Sequence, residues 1–359
     1  MERVPLALAH DYLTQRGGAE RVVAAWTKFA PLAPLFTNLY EPSTTFDEFA
    51  SAPISTGRLN RIPYFRRHHR SALPFLASAT QAITIKADIT LASSSGWAHG
   101  VTASDYLAVY CHAPARWLYQ TDRYLRRDGL SPIAQASRLW FSHLRGWDQT
   151  AQRRADLYIV NSSATQALVQ EVYGRSAPVV APPVDVPSLM PAGDDRGDVL
   201  VVARLLPYKN VDLSLEVARS MPDVRFRIVG DGPLRATLQS IASPNVTFLG
   251  AVDDEQLWQE YAGTQVHLAL SHEDFGITPL EAAAAGKPTV ARSSGGYLDT
   301  ITTSTGILIP ENELIVPTIV ETLTQACGAS WDQQLLRDHA QQFSREAHWA
   351  ALRNLIPDL

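Results

Sequence analysis

Short apolar runs alternate along this chain with stretches whose apolar residues recur at helical spacing. Val4 to Ala9 is the first such run, and Val22, Val23, Trp26 and Phe29 follow it at a helical period. Between them lie Gly17 and Gly18, so the spacing predicts a strand, a Gly-rich loop and a helix beginning at the glycines. Leu35 to Leu39, Ile89 to Ala92, Leu107 to Cys111 and Leu157 to Val160 read as further strands. Ile133 to Asp156 reads as a long helix. A second helix enters at Asn161, Ser162 and Ser163 and stops at Gly174, where a glycine suits the position after a helix end.

Residues 187–197 are rich in Pro, Gly and Asp, and a domain boundary is expected there. The pattern then restarts. Strands are expected at Val199 to Ala203, Phe226 to Val229, Val246 to Leu249, Val266 to Leu270, Thr289 to Ala291 and Gly306 to Ile309. Helices are expected at Val211 to Met221, after Gly230 to Pro233, at Glu255 to Ala262, after Thr278 and through the tail from Trp331. Two α/β domains with parallel, doubly wound sheets follow from that alternation. Ligands of such sheets bind beyond the carboxyl ends of strands. Glycines, cations and carboxylates follow predicted strands in both halves, so a cleft between two facing domains is the simplest expectation.

Composition narrows the function classes. The chain has 359 residues, 46% hydrophobic and 19% charged, and a net charge of −5, which disfavours a nucleic-acid binder. Cys111 and Cys327 are its only cysteines and have no metal-ligand spacing, as suits a reducing cytoplasm. The first residues do not read as a signal peptide, and no run of about 18 apolar residues predicts a membrane span.

The densest candidate chemistry is the stretch from Glu273 to Glu281, two carboxylates separated by Phe275, Gly276, Ile277, Thr278 and Pro279. Thr278 suits an N-cap and Pro279 the first helical position, so loop amides and helix N-terminus would form a seat for an anionic group. Thr278 and Glu281 also fit a capping box, a purely structural alternative for Glu281. Arg204 and Lys209 flank a Pro-stiffened turn and could clamp a diphosphate. Gly17 and Gly18 allow close approach of backbone to a ligand, or simply a tight turn. His112 at a strand end could bond a sugar hydroxyl or be a satisfied structural histidine. Asp11 could bind a hydroxyl or form a turn. The adjacent aspartates are Asp194 with Asp195 and Asp253 with Asp254, the first in the expected linker and the second at a helix start, and no Asp-x-Asp pattern lies in a loop suited to holding a metal.

These residues resemble the signature of retaining glycosyltransferases of family 4, which have the GT-B fold. The likeness rests on Glu273 and Glu281 with Phe275 and Gly276 between them, Gly17 to Arg21, His112 with Pro114 and Arg116, Arg204 to Lys209, and Gly230 to Pro233. It extends over nearly the whole chain, and is strongest to bacterial mannosyltransferases that use GDP-mannose. The resemblance implies two Rossmann-like domains, 1–184 for the acceptor and 185–343 for the nucleotide sugar, with a helix at 344–359 crossing back. It implies that Arg204 and Lys209 hold the donor diphosphate and that Glu281 binds the ribose. It gives Glu273, with the backbone of Phe275, Gly276, Ile277 and Thr278, the transferred sugar. Gly17 and Gly18 would make room for donor phosphates, His112 would contact the sugar near the reacting carbon, and Asp253 would lie near the base. Asp11 and Arg116 are the acceptor-side candidates.

The expected function is therefore metal-independent transfer of a hexose, mannose from GDP-mannose, with retention, to a sugar, lipid-linked or small-molecule acceptor. No cofactor and no nucleic acid are expected. Alternatives are a sugar-nucleotide epimerase or phosphorylase of the same fold, or a non-catalytic nucleotide-sugar binder. Residues 58–76 carry Arg58, Arg61, Arg66, Arg67 and Arg70 among Ile62, Tyr64, Phe65 and Phe75. That stretch could touch anionic lipid at the inner face of the membrane or be a solvated basic loop.

Overall fold

The computed structural model describes residues 3–119, 132–187, 191 and 196–359. The acidic pair Asp194 and Asp195 and much of the expected boundary lie outside the described residues. The chain divides into two compact units, one of residues 1–182 with 348–359 and the other of residues 183–347. The division thus falls two residues before the expected 184, and the returning segment begins at His348 rather than at 344.

In the first unit the six-stranded sheet comprises β1 (Val4–His10), β2 (Leu35–Thr37), β3 (Ile54–Thr56), β4 (Ala87–Ser94), β5 (Tyr106–Cys111) and β6 (Leu157–Val160). Its order is β3-β2-β1-β4-β5-β6, all parallel. The expected apolar runs correspond to five of these strands. The sixth, β3, is a three-residue edge, too short for any periodicity to show. The helix after the glycines spans Gly18–Phe29, with Gly17 as its N-cap in extended conformation. The helix Ser163–Tyr173 is capped by Ser162, whose side chain accepts from the Thr165 amide, and ends at Gly174 with φ of 65°.

The second unit repeats the plan. Its strands are β7 (Asp198–Val202), β8 (Arg225–Val229), β9 (Val246–Gly250), β10 (Val266–Ala269), β11 (Thr289–Arg292) and β12 (Gly306–Ile309). Their order, β9-β8-β7-β10-β11-β12, is the same and again all parallel. The central strands, covered by helices on both faces, are almost wholly buried, which is why they read as continuous apolar runs rather than alternating ones. Val199, Val201, Phe226, Ile228, Val266, Leu268 and Val290 form one core cluster with helices Val211–Ser220 and Val316–Gly328. The tail is two helices, Gln333–Gln341 and Arg345–Leu355, rather than one.

In each unit the strand order reverses at one point, between β1 and β4 and between β7 and β10. Loops leaving adjacent strands there run in opposite directions and open a crevice at the strands' carboxyl ends. Among the described residues no helix is long and apolar enough to cross a membrane.

Candidate active site

The second unit's crevice gathers the residues around which the sequence reading was built. The loop after β7 carries Arg204 and Lys209, and the loop after β10 carries Glu273. Lys209 Nζ forms an ion pair with Glu273 Oε1 across the point where the strand order reverses. The two side chains are only 12% and 24% exposed, so water screens the pair weakly. Ser271 Oγ donates to the same Glu273 oxygen at 2.7 Å, and the Tyr297 hydroxyl lies 3.0 Å from Ser271 Oγ. Burial, with the Glu273 charge second, raises the Tyr297 phenol far above its ordinary range. Tyr297 therefore stays protonated and passes a hydrogen bond through Ser271 to the carboxylate.

Two close approaches hold these loops. Gly230 has φ of 131°, and a Cβ there would lie 1.9 Å from the Ala203 carbonyl oxygen, beside Arg204. Gly295 has φ of 61°, and a Cβ there would lie 2.1 Å from the carbonyl oxygen of Glu273. The Gly296 amide donates to that same carbonyl at 2.9 Å. The glycine turns after β8 and β11 are thus the backing for the cationic and acidic loops, a role for Gly230 to Gly232 that needs no ligand. Asn210, in left-handed conformation, donates through Nδ2 to the Leu270 carbonyl at 3.0 Å and ties the two loops together. Arg204 is exposed, and its Nη2 donates to the Tyr208 hydroxyl at 3.0 Å.

The capping expectation needs correction. The helix spans Thr278–Ala284 with Ile277 as its N-cap and no side-chain cap bond, so Thr278 is inside the helix. Glu281, 9% exposed, accepts instead from the Tyr261 hydroxyl at 2.8 Å. A tyrosine twenty positions earlier holds this carboxylate, so a capping box is not its structural role. Phe275 is buried and packs its ring 6.0 Å from that of Phe343, fixing the turn through Gly276. Asp253 is the N-cap of helix Asp254–Gly263, with Oδ1 accepting from the Gln256 amide at 2.8 Å.

In the first unit Gly17 and Gly18 open the helix after β1, as the spacing predicts. Asp11 is buried, and its carboxylate accepts from the amides of Ser95 at 2.8 Å, Trp97 at 3.2 Å and Ala98 at 2.6 Å. It shapes the turn after β4, and those bonds account for it without an acceptor. Burial raises its carboxyl above the ordinary range, opposed by the charge on His10 and by the amides. His112 is nearly buried at the end of β5. Asn161 Nδ2 donates to its carbonyl at 3.0 Å, and its Nε2 lies 2.8 Å from Ser93 Oγ. Burial, then the His10 charge, push the His112 imidazole down to about 3, so the ring is neutral. Arg116 opens a short helix, Arg116–Tyr119, and is half-buried. Ser271, Tyr297, Asn210 and Tyr261 were not singled out from the sequence. Only Ser271, two positions before Glu273, had a local signal.

Residues 191–327 match the family of Glycosyl transferases group 1. The GDP-mannose-dependent alpha-(1-6)-phosphatidylinositol monomannoside mannosyltransferase of Mycolicibacterium smegmatis is 30% identical, over 56% of this chain and 62% of that protein. The D-inositol 3-phosphate glycosyltransferase of Mycobacteroides abscessus is 32% identical, over 46% of this chain and 44% of that one. The chain spans less than two thirds of the length of these relatives. Anabaena HepE, solved with UDP and glucose, superposes with a TM-score of 0.70 at 18% identity, over 99% of this chain and 100% of its own. Sucrose-phosphate synthase from Thermosynechococcus elongatus superposes with a TM-score of 0.69 at 19% identity, over 98% of each chain. The fold is GT-B, with two Rossmann-like halves, as the sequence resemblance implies, and the similarity to group 1 glycosyltransferases lies in residues 191–327.

Proposed function

We propose that this chain transfers mannose from GDP-mannose to an acceptor hydroxyl, with retained anomeric configuration and no metal. The observation that carries the reading is the Lys209–Glu273 pair at the second unit's crevice, with Arg204 on the adjoining loop. A nucleotide diphosphate needs cations where its leaving-group charge develops, and Arg204 and Lys209 supply them without a Lewis acid. Glu273, held by Ser271 and Tyr297, is a fixed acceptor for sugar hydroxyls. Glu281, held by Tyr261, serves the ribose, and the backbone from Phe275 to Thr278 lines the sugar. In this reading Asp253 would meet the base, and His112, Gly17, Gly18 and Arg116 would be the ligand contacts contributed by the first unit. Asp11 positions the turn after β4. The GDP-mannose preference rests on the named activity of the mycobacterial relative, not on a contact in this chain.

The experiment is turnover of GDP-mannose and UDP-glucose by the wild type, Glu273→Ala and Lys209→Ala, with EDTA in one arm. Loss of turnover in both variants and persistence in EDTA are expected. Near-normal turnover in both variants would sink the site assignment, and turnover of UDP-glucose alone would sink the donor.

The acceptor is proposed to be lipid-linked and reached from the inner face of the membrane. Ile62, Tyr64 and Phe75 are 44%, 58% and 50% exposed among the exposed Arg58, Arg61, Arg67 and Arg70. His69, within this stretch, stacks on Tyr12 at 4.6 Å and lies 3.1 Å from Thr14 Oγ1, so the basic surface adjoins the loop that leads to Gly17. Exposed aromatics among arginines suit an anionic interface. Co-sedimentation with anionic but not neutral liposomes is expected; binding to neither would refute the contact.

A further inference from the structure

His112 is one end of a buried polar chain that crosses the first unit's sheet. Its Nε2 lies 2.8 Å from Ser93 Oγ, and Ser93 Oγ lies 3.0 Å from His10 Nδ1. The same His10 nitrogen is 3.2 Å from the Ser93 carbonyl oxygen. His10 Nε2 is 3.8 Å from Glu20 Oε1, which accepts from Gln15 Nε2 at 3.0 Å. His10, Ser93 and Glu20 are each at most 3% exposed. The pairing register dictates the encounter, because His10 in β1 faces Ser93 in β4 where the strand order reverses.

The protons on this chain follow from the chemistry of its acceptors. A carbonyl oxygen only accepts, so His10 Nδ1 carries a proton. The Ser93 hydroxyl accepts that proton's second contact and has one hydrogen of its own to give. His112 Nε2 is the acceptor in reach, so it is unprotonated. A neutral imidazole then has its one hydrogen on Nδ1. On the other side of His10, Glu20 Oε1 stands 3.8 Å from Nε2, too far for a hydrogen bond but near enough for its charge to favour the imidazolium. Burial alone would lower the His10 imidazole, but the neighbouring carboxylates of Glu20 and Asp11 hold it above its ordinary value.

We propose that Glu20, His10 and Ser93 are positioning residues that lock His112 in the Nδ1–H tautomer, making its ring a hydrogen-bond donor toward the ligand. The lock is a property of the first unit alone; its consequence, donation to an oxygen of the sugar or acceptor, rests on the transfer reading. A histidine free to switch tautomer would present a lone pair to that oxygen part of the time. Glu20, in the first helical turn after Gly17, thus acts on the site through His10 and Ser93 and not by contact.

Selective 15N-histidine labelling of the full chain reads the tautomer directly and needs no variant. His112 is expected to show a pyridine-type Nε2 and a pyrrole-type Nδ1. In Ser93→Ala its two signals should move toward each other as the tautomers mix. In the same variant kcat should fall about tenfold, the worth of one hydrogen bond lost in the transition state, while GDP affinity stays unchanged. Glu20→Gln should shift His10 and His112 signals in the same sense. A proton on His112 Nε2 in the wild type, or unchanged His112 signals in Ser93→Ala, would overturn the lock. If His112 carries its proton on Nδ1 but no nucleotide sugar is turned over, the lock stands and the transfer reading falls.

Discussion

Removing Glu273 should make a nucleoside diphosphate bind more tightly while transfer fails. Lys209 is committed to Glu273, so a diphosphate arriving at Lys209 must displace the carboxylate. It then sits beside an anion that Ser271 and Tyr297 keep in place. Two unit charges about 4 Å apart interact by ~1 kcal/mol in water and ~4 kcal/mol at an effective dielectric of about 20. Side chains 12% and 24% exposed lie between these limits, and a phosphate would be somewhat farther from Glu273 than Lys209 is. Relief of that repulsion in Glu273→Gln is therefore worth about 1–2 kcal/mol, a five- to thirty-fold tighter Kd. Lys209→Met should do the reverse, weakening binding about tenfold or more through loss of a charge-assisted hydrogen bond. Isothermal titration of GDP and UDP into the wild type, both single variants and the double variant at 0.15 M salt closes the cycle. Glu273→Gln should gain less in the Lys209→Met background, where there is no ammonium to release. If Glu273→Gln weakens the nucleotide as much as Lys209→Met does, Glu273 is a nucleotide contact rather than a competitor and the reasoning is wrong.

Three further outcomes follow from the same structure. Trp26 Nε1 donates to His348 Nε2 at 2.8 Å and His348 Nδ1 lies 2.6 Å from the Ala181 carbonyl, so the ring is neutral, and burial holds it at about 4 against an ordinary 6.5. Its contribution is full above about pH 6.5 and is lost as pH falls through about 4; the stability gap between wild type and His348→Gln in denaturant titrations should shrink by about 2 kcal/mol from pH 7 to 4.5, and a constant gap would refute it. Asp11→Ala leaves three buried amides without their carboxylate and should cost about 3–5 kcal/mol by denaturant unfolding, where a loss below about 1 kcal/mol would show the turn rearranging freely. Gly295→Ala drives a methyl into the Glu273 carbonyl and should abolish turnover while the first unit's unfolding midpoint is unchanged; retained turnover would show that the loop tolerates displacement.

The sheets were largely legible because buried parallel strands leave continuous apolar runs in the chain. Among the described residues, eleven of the twelve strands of the two six-stranded sheets coincide with such a run, while Ile54–Thr56, three residues at an edge, and the two-residue strands Thr84–Ile85 and Thr102–Ala103 of a separate small sheet left no signal. The loops were legible for a different reason: glycines and charged residues directly after apolar runs stand out against them. What decides the role of each charged group is contact at long sequence separation, which no spacing rule records. Glu281 is settled by Tyr261, Glu273 by Lys209 sixty-four positions earlier, and Asp11 by amides more than eighty positions away. The proposed capping box was misjudged on that ground, and Asp11, open in the sequence between a turn and a hydroxyl contact, is seen to hold a turn. The His10–Ser93–His112 chain was invisible for the same reason, since it exists only once β1, β4 and β5 are in register.

The first unit is discontinuous in sequence, and this orders its assembly in time. Residues 183–347 are a single segment, while Leu352 and Ile356 belong to the same buried cluster as Leu8, Val22, Trp26 and Leu35. A ribosome delivers every strand of the second sheet before it delivers those two side chains. Through that interval one face of the helix Gly18–Phe29, with the Trp26 indole on it, has no cover from residues 348–359. The second unit can thus complete its core on the nascent chain, whereas the first, although begun earlier, is finished last. Truncation before His348 would leave exposed a surface that in the whole chain is never shown to solvent.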